Sequence, residues 1–331
     1  MIERNITRMT LPKKRLLACL WHCLAIMASM SVGIPTLILA IIAKQCHKQA
    51  NKRFLGRVIR VMLRSIIDKN IQQPHTVRNH MRYFTSDTHF GHPLVTALRG
   101  FLNNGRLRAE YRDVWQAQGR AAAHTWIKQY VRDNQTSFKA ICDITRHENT
   151  IIGNINETVG RDDELWILGD LSYRCTVEHT LDCLRRINCR HLHLIIGNHD
   201  RNFRLRSNDA LYENVFETID DYREIDMELP VLDGTGKPTA ATTRQTIGMS
   251  HFPRLSALAE EHGNWPENWN KFADVAPTTE GWLLYGHTHQ GIPDGTDPLS
   301  ANVGLDAWDF KPVSEQQILA WFTFRHADQS K

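Results

Sequence analysis

The 331-residue chain has 40 Lys and Arg, 36 Asp and Glu, and seven cysteines. Its charge is split: residues 1–80 hold 14 basic and 2 acidic side chains, which leaves 26 against 34, a net of −8, for residues 81–331. An acidic C-terminal region excludes a broad nucleic-acid footprint. An odd cysteine number with no Cys-x-x-Cys pair excludes a disulfide scaffold and favours a cytoplasmic catalytic domain.

The first segment is basic and apolar. Leu16–Ala43 contains no charged residue, follows Lys13, Lys14 and Arg15, and precedes Lys44. It is long enough to span a bilayer with some tilt, and it tolerates Gly33 and Pro35 as membrane helices do. Arg53, Arg57, Arg60 and Arg64 then recur at helical spacing among apolar residues. That is the pattern of a basic helix on an anionic membrane surface or of an ordinary solvated face. Residues 16–67 are thus expected to offer membrane association. Seven Lys/Arg in residues 44–64 against five in residues 1–15 place the C-terminal domain on the cytoplasmic side. The equally weighted alternative is that translation starts at Met81 and residues 1–80 are not made.

From Met81 onward, short apolar runs end in polar, chemistry-bearing blocks. Tyr83-Phe84-Thr85 leads to Asp87-Thr88-His89, and Leu165-Trp166-Ile167-Leu168 to Gly169-Asp170. Leu192 to Ile196 leads to Gly197-Asn198-His199-Asp200, Ile247-Gly248-Met249 to His251, and Trp282 to Tyr285 to Gly286-His287-Thr288-His289. Apolar runs that stop at Gly, Asp or Asn read as buried strands. Ligands gather at the carboxyl ends of such strands, so distant blocks can share one pocket. Between the first two blocks, Leu102–Ala140 reads as a helical insertion of net charge +4. Its pairs Tyr111/Trp115 and Trp126/Tyr130 sit four residues apart, as packing residues, base-stacking residues or a substrate cap would. Val313–Phe324 is expected to be a helix leading into a last strand or tail.

Carboxylate, imidazole and amide oxygen without thiolate suit hard or borderline divalent ions. The five ordered blocks within residues 81–312 resemble the calcineurin-like metallophosphoesterases, whose pattern is D-x-H, GD, GNH[DE], H and GHxH. Phe84 to His92 and Asn302 to Ala307 are similar to a small bacterial and phage-type branch of that family. The resemblance implies a four-layer α/β sandwich: two mixed β-sheets face to face, helices outside. It implies that Asp87, His89 and His289 bind one metal, that Asn198, His251 and His287 bind a second, and that Asp170 bridges them. His199 would assist the leaving group and Asp200 would hold the His199 ring. His92 would touch substrate or cap the following segment, and Arg254 would reach a phosphate or lie on the surface. The implied reaction is hydrolysis of a phosphomonoester or phosphodiester by a hydroxide activated between two ions about 3.5–4 Å apart. Manganese, iron and zinc all accept this ligand set. A small phosphorylated or nucleotide substrate follows; oligomeric state does not. The alternatives are a nuclease using the insertion as its basic groove, and a non-catalytic metal-binding interaction module on the same fold.

Overall fold

The computed structural model describes residues 80–200, 212–234, 238–254, 275–293 and 297–329, so the expected membrane segment lies outside the described residues. The chain divides into two units, Met1–Arg78 and Asn79–Lys331, and the architecture is that of the second. Among the described residues no helix is long and apolar enough to cross a membrane.

The unit is α/β, with two mixed sheets flanked by helices. Strands β1 (Arg82–Thr85), β2 (Glu164–Leu168), β3 (His191–Ile195) and β4 (Thr218–Asp220) run parallel. β9 (Val313–Ser314) closes the far edge antiparallel to β1, giving the order β4-β3-β2-β1-β9. The second sheet has the order β5-β6-β7-β8. Its strands are β5 (Tyr222–Leu232), β6 (Pro238–Ser250), β7 (Trp282–Tyr285) and β8 (Ser300–Asn302). β5 and β6 are antiparallel; β6, β7 and β8 are parallel.

Alternation along the strands sorts the core. Leu165, Ile167, Leu192 and Leu194 face one way and pack on Ile151, Ile155, Leu181 and Leu184. Those partners belong to helices α5 (Ile144–Thr158) and α6 (Val177–Arg185). Phe84, Trp166, Leu168 and Ile195 face the other way and meet Met227, Leu229, Ile247, Met249 and Leu284 of the second sheet. A strand covered on both faces needs apolar residues at successive positions, which is why β2 reads Leu-Trp-Ile-Leu. Each fully buried side chain of this size contributes about 1.5–3 kcal/mol.

The insertion is a helical pair. α2 (Gly105–Gln118) and α3 (Arg120–Asp133) meet at Gly119, whose φ of 93° suits glycine. α1 (Pro93–Leu98) and α4 (Phe138–Ile141) complete a satellite core of Ala97, Leu102, Leu107, Tyr111, Ala123 and Ile127. Tyr111, Trp126 and Tyr130 of the aromatic stripe lie in or against this packing, whereas Trp115 is exposed. Tyr111 is buried, its ring 5.8 Å from Trp115 and 6.4 Å from Trp126.

The expected C-terminal helix is present as α7 (Glu315–Gln329), but the first two residues of its expected span, Val313 and Ser314, form strand β9 instead. The reason is a reciprocal cap. Ser314 Oγ accepts the Gln317 N–H at 3.2 Å, and Gln317 Oε1 accepts the Ser314 N–H at 2.9 Å. That Ser-x-x-Gln box starts a helix where it stands.

Candidate metal centre

The five strands that precede the polar blocks are β1, β2, β3, β6 and β7, and every block lies just beyond a carboxyl end. Three of these ends are parallel neighbours in one sheet and two are neighbours in the other. The blocks therefore converge. Asp87, His89 and His289 form one cluster that can hold a metal ion, and Asp170, His251 and His287 form another.

The backbone bends sharply to deliver these side chains. Asp87, His89, Asp170, His287 and His289 all have positive φ, between 48° and 69°. Such values cost a non-glycine residue roughly 1–3 kcal/mol, and such strain concentrates at functional sites. Two glycines make the approach feasible. A Cβ at Gly169 would stand 2.5 Å from His251 Nδ1, and one at Gly286 would collide with Ser86 Oγ and stand 2.6 Å from Asp87 Oδ2. No larger residue fits either place.

Asp170 lies between the clusters. Its Oδ2 is 3.6 Å from His89 Nε2, its Oδ1 3.5 Å from His251 Nε2, and Oδ1 also accepts the His199 N–H at 2.9 Å. Burial pushes its carboxyl pKa up, and the neighbouring His251 opposes that shift. His251 is shifted up as well. Burial alone would lower it, but the Asp170 and Asp87 carboxylates win and raise it.

Tautomers can be read from the partners. His251 Nδ1 faces the Leu168 carbonyl at 2.8 Å, and a carbonyl only accepts, so Nδ1 carries the proton. His251 Nε2 lies 3.0 Å from Asn198 Oδ1 and 3.1 Å from His287 Nδ1, and in the neutral ring it offers its lone pair there. His289 repeats the arrangement. Its Nδ1 lies 3.0 Å from Asp306 Oδ2, and its Nε2 lies 2.9 Å from His89 Nε2. Asp306 opposes its own burial through Arg99 and His289, which hold its carboxyl well below the ordinary range, so it accepts the proton of His289 Nδ1. His89 is held neutral, chiefly by burial and then by His289. Asp87 Oδ1 is buried without a hydrogen-bond partner. Lone pairs and carboxylate oxygens thus face one another in both clusters, an arrangement that a divalent cation satisfies.

The remaining expected residues lie around this centre. Asn198 stands at the second cluster beside His251. The His199 side chain is 31% exposed, with Nε2 3.8 Å from Asp170 Oδ2. Its ring lies 4.3 Å from Tyr173 and 6.1 Å from His92. Asp200 does not hold the His199 ring, as the resemblance implied; it is committed to backbone, because both its oxygens accept N–H groups. Its Oδ2 accepts the N–H groups of Asp170 at 2.7 Å and Gly197 at 2.8 Å, and its Oδ1 that of Leu171 at 2.9 Å. It thereby ties the second and third blocks together. His92 does cap α1, accepting the Val95 N–H at 3.5 Å, yet its ring also stands 5.2 Å from that of His89. Burial, followed by His199, lowers its pKa to about 4.

Arg254 differs from both readings of it. It is buried, and its guanidinium is turned to Thr279 O at 2.6 Å, Asp297 Oδ2 at 2.6 Å and Gly281 O. A guanidinium so occupied holds a loop.

Sequence reasoning missed Asp306, Arg99 and Arg120. Arg99 is buried, donates to Asp87 O at 2.7 Å and pairs with Asp306 Oδ2 at 2.7 Å. Arg120, from α3 of the insertion, reaches Asp306 Oδ1 at 2.7 Å. Asp306 lies inside the Asn302–Ala307 block already singled out, the only signal that pointed to it.

No family model matches the chain. It is 34% identical over 167 residues to the Gene 66 protein of Mycobacterium phage D29, covering 48% of this chain and 76% of that one. The Gene 66 protein of Mycobacterium phage L5 is 28% identical over 198 residues, 56% of this chain and 86% of that one. A crystal structure of an Aquifex aeolicus protein of unknown function aligns over 72% of this chain and 98% of its own, at 20% identity and a TM-score of 0.40.

Proposed function

The chain belongs to the family of the Gene 66 protein of Mycobacterium phage D29, and from its paired ligand clusters we propose that it is a metal-dependent phosphoesterase of the calcineurin-like type. The observation that carries this reading is the placement of Asp170, with one carboxylate oxygen toward each cluster. Asp87, His89 and His289 would hold one ion, and Asn198, His251 and His287 the other. Bound there, two divalent cations would supply charge neutralisation for a phosphoryl group and acidification of water. Manganese, iron and zinc all fit, because each accepts imidazole and carboxylate.

The protein's own groups do the rest. Asp306 orients His289 through Nδ1 and leaves Nε2 free to ligate. Asp200 fixes the loops of Asp170 and Asn198 against each other. His199, at the solvent side of Asp170, is placed to give its proton to a departing alkoxide. His92 and Tyr173 flank it and shape the space a substrate occupies. A small phosphorylated compound or nucleotide suits a centre in an acidic region.

The test is hydrolysis of an aryl phosphate and of a bis-aryl phosphate diester by the purified protein with and without manganese. Turnover should vanish on chelation and return with metal. Full activity after exhaustive chelation would overturn the reading. Asp306→Asn should weaken metal binding at the Asp87 cluster by about 10–100-fold. It should also lower stability by several kcal/mol, since Arg99 and Arg120 lose a buried partner. Calorimetric titration should show the Asp170 cluster far less affected. Equal weakening of both would mean that Asp306 only supports the fold.

A further inference from the structure

A second group of ligand-type side chains lies apart from this centre, between α5 and α6. Glu148 comes from α5, His179 and Cys183 from α6. His179 and Cys183 are four apart and so share a helix face. Their ligand atoms and the Glu148 carboxylate lie within 4.8 Å of one another. His179 Nε2 is 2.6 Å from Glu148 Oε1 and 3.9 Å from Cys183 Sγ. Glu148 and Cys183 are buried, whereas the His179 side chain is 40% exposed and opens a way in.

We propose that Glu148, His179 and Cys183 form a third metal site, selective for a borderline or soft divalent cation such as zinc. Thiolate, imidazole and carboxylate are the zinc donor set, and three protein ligands leave a fourth position for water. A plain His179–Glu148 ion pair would account for two of the residues. It does not by itself bring the Cys183 thiol, otherwise a core side chain, to the same Nε2. Nor does Cys175 complete the set, since its Sγ meets Thr180 Oγ1 at 3.5 Å and Phe90 O at 3.6 Å. Without a cation the Cys183 thiol is held protonated, its pKa pushed up to about 12 by burial and then by the Glu148 charge. On binding, the thiol proton leaves to solvent and the S–metal bond replaces the S–H bond. The result is a structural tie. Glu148 Oε1 also accepts the Gly91 N–H at 2.9 Å, so an ion here anchors the loop that carries His89 and His92.

The site is distinguishable from the dinuclear centre because only it contains sulfur. The full-length protein, stripped and reloaded with cobalt(II), should show a sulfur-to-cobalt charge-transfer band in the near ultraviolet. Cys183→Ser should abolish the band and one equivalent of metal, while the visible bands of the nitrogen/oxygen centre persist. A wild-type protein that loads cobalt without that band would overturn the proposal. So would a band that survives Cys183→Ser. Should Cys183→Ser fail to fold, X-ray absorption of the zinc-loaded wild type decides: a sulfur scatterer is expected, and its absence refutes the site. Neither readout depends on the phosphoesterase reading.

Discussion

Asp170→Asn is expected to abolish phosphoester hydrolysis and to release metal from both clusters together. Each other ligand serves one cluster, whereas the Asp170 oxygens face His89 on one side and His251 on the other. The amide is isosteric and its oxygen can still accept the His199 N–H. It carries no charge, however, and directs an NH₂ donor at one of the two cation positions. Removing one partner of a buried ionic arrangement costs about 3–5 kcal/mol, or roughly 10²-fold or more in affinity. Calorimetry should therefore show both sites weakened by more than any other single ligand substitution produces. Two sites at wild-type affinity would remove Asp170 from the bridging role.

The metal-free protein should respond in the opposite sense. Burial raises the Asp170 carboxyl above its unfolded value. The folded chain then binds the proton more tightly than the unfolded chain. Stability is present below the unfolded value and is lost as pH rises from about 4 to about 7. Asp170→Asn removes that titration, so the stripped variant should melt no lower than stripped wild type at neutral pH. A large drop in both states would indicate a folding defect rather than a lost ligand.

His199→Ala is expected to keep both metals and lose roughly 10²–10⁴-fold in turnover. His199 Nε2 stands 3.8 Å from Asp170 Oδ2, farther out than His89 or His251, and its side chain is 31% exposed. On the phosphoesterase reading, such a group would meet the leaving oxygen. The loss should be largest for alkyl esters, whose alkoxide needs a proton, and smallest for nitrophenyl esters, whose phenolate departs unaided. Equal losses on both, with metal content unchanged, would assign His199 to charge stabilisation of the phosphoryl group. Loss of one metal would make it a ligand.

The candidate ligands are legible in the linear chain because each directly follows the strand that positions it. Phe84 and Leu168 mark core-facing positions by alternation, and Asp87 and Asp170 follow within a few residues. Gly169 and Gly286 are legible for the same reason, being demanded by tight turns beside the ligands. The Ser314–Gln317 cap is also local and readable. Even β5 shows its alternation in Ile225, Met227 and Leu229.

Other features depend on folding. Arg99 meets Asp306 across 207 positions and Arg120 meets it across 186. No periodicity relates such residues, and each alone is an ordinary charge. Arg254 looked like a phosphate ligand or a surface residue. It is neither, because the 279–281 segment just before β7 and Asp297 beyond β7 both come to it. The Glu148–His179–Cys183 cluster has the same character, since helical spacing joins His179 to Cys183 but only the packing of α5 on α6 adds Glu148. Strand ends are specified by local pattern, which the chain carries in itself. Partnerships between helices and loops are specified by which faces the sheets leave to cover, and that exists only once the two sheets have closed on each other.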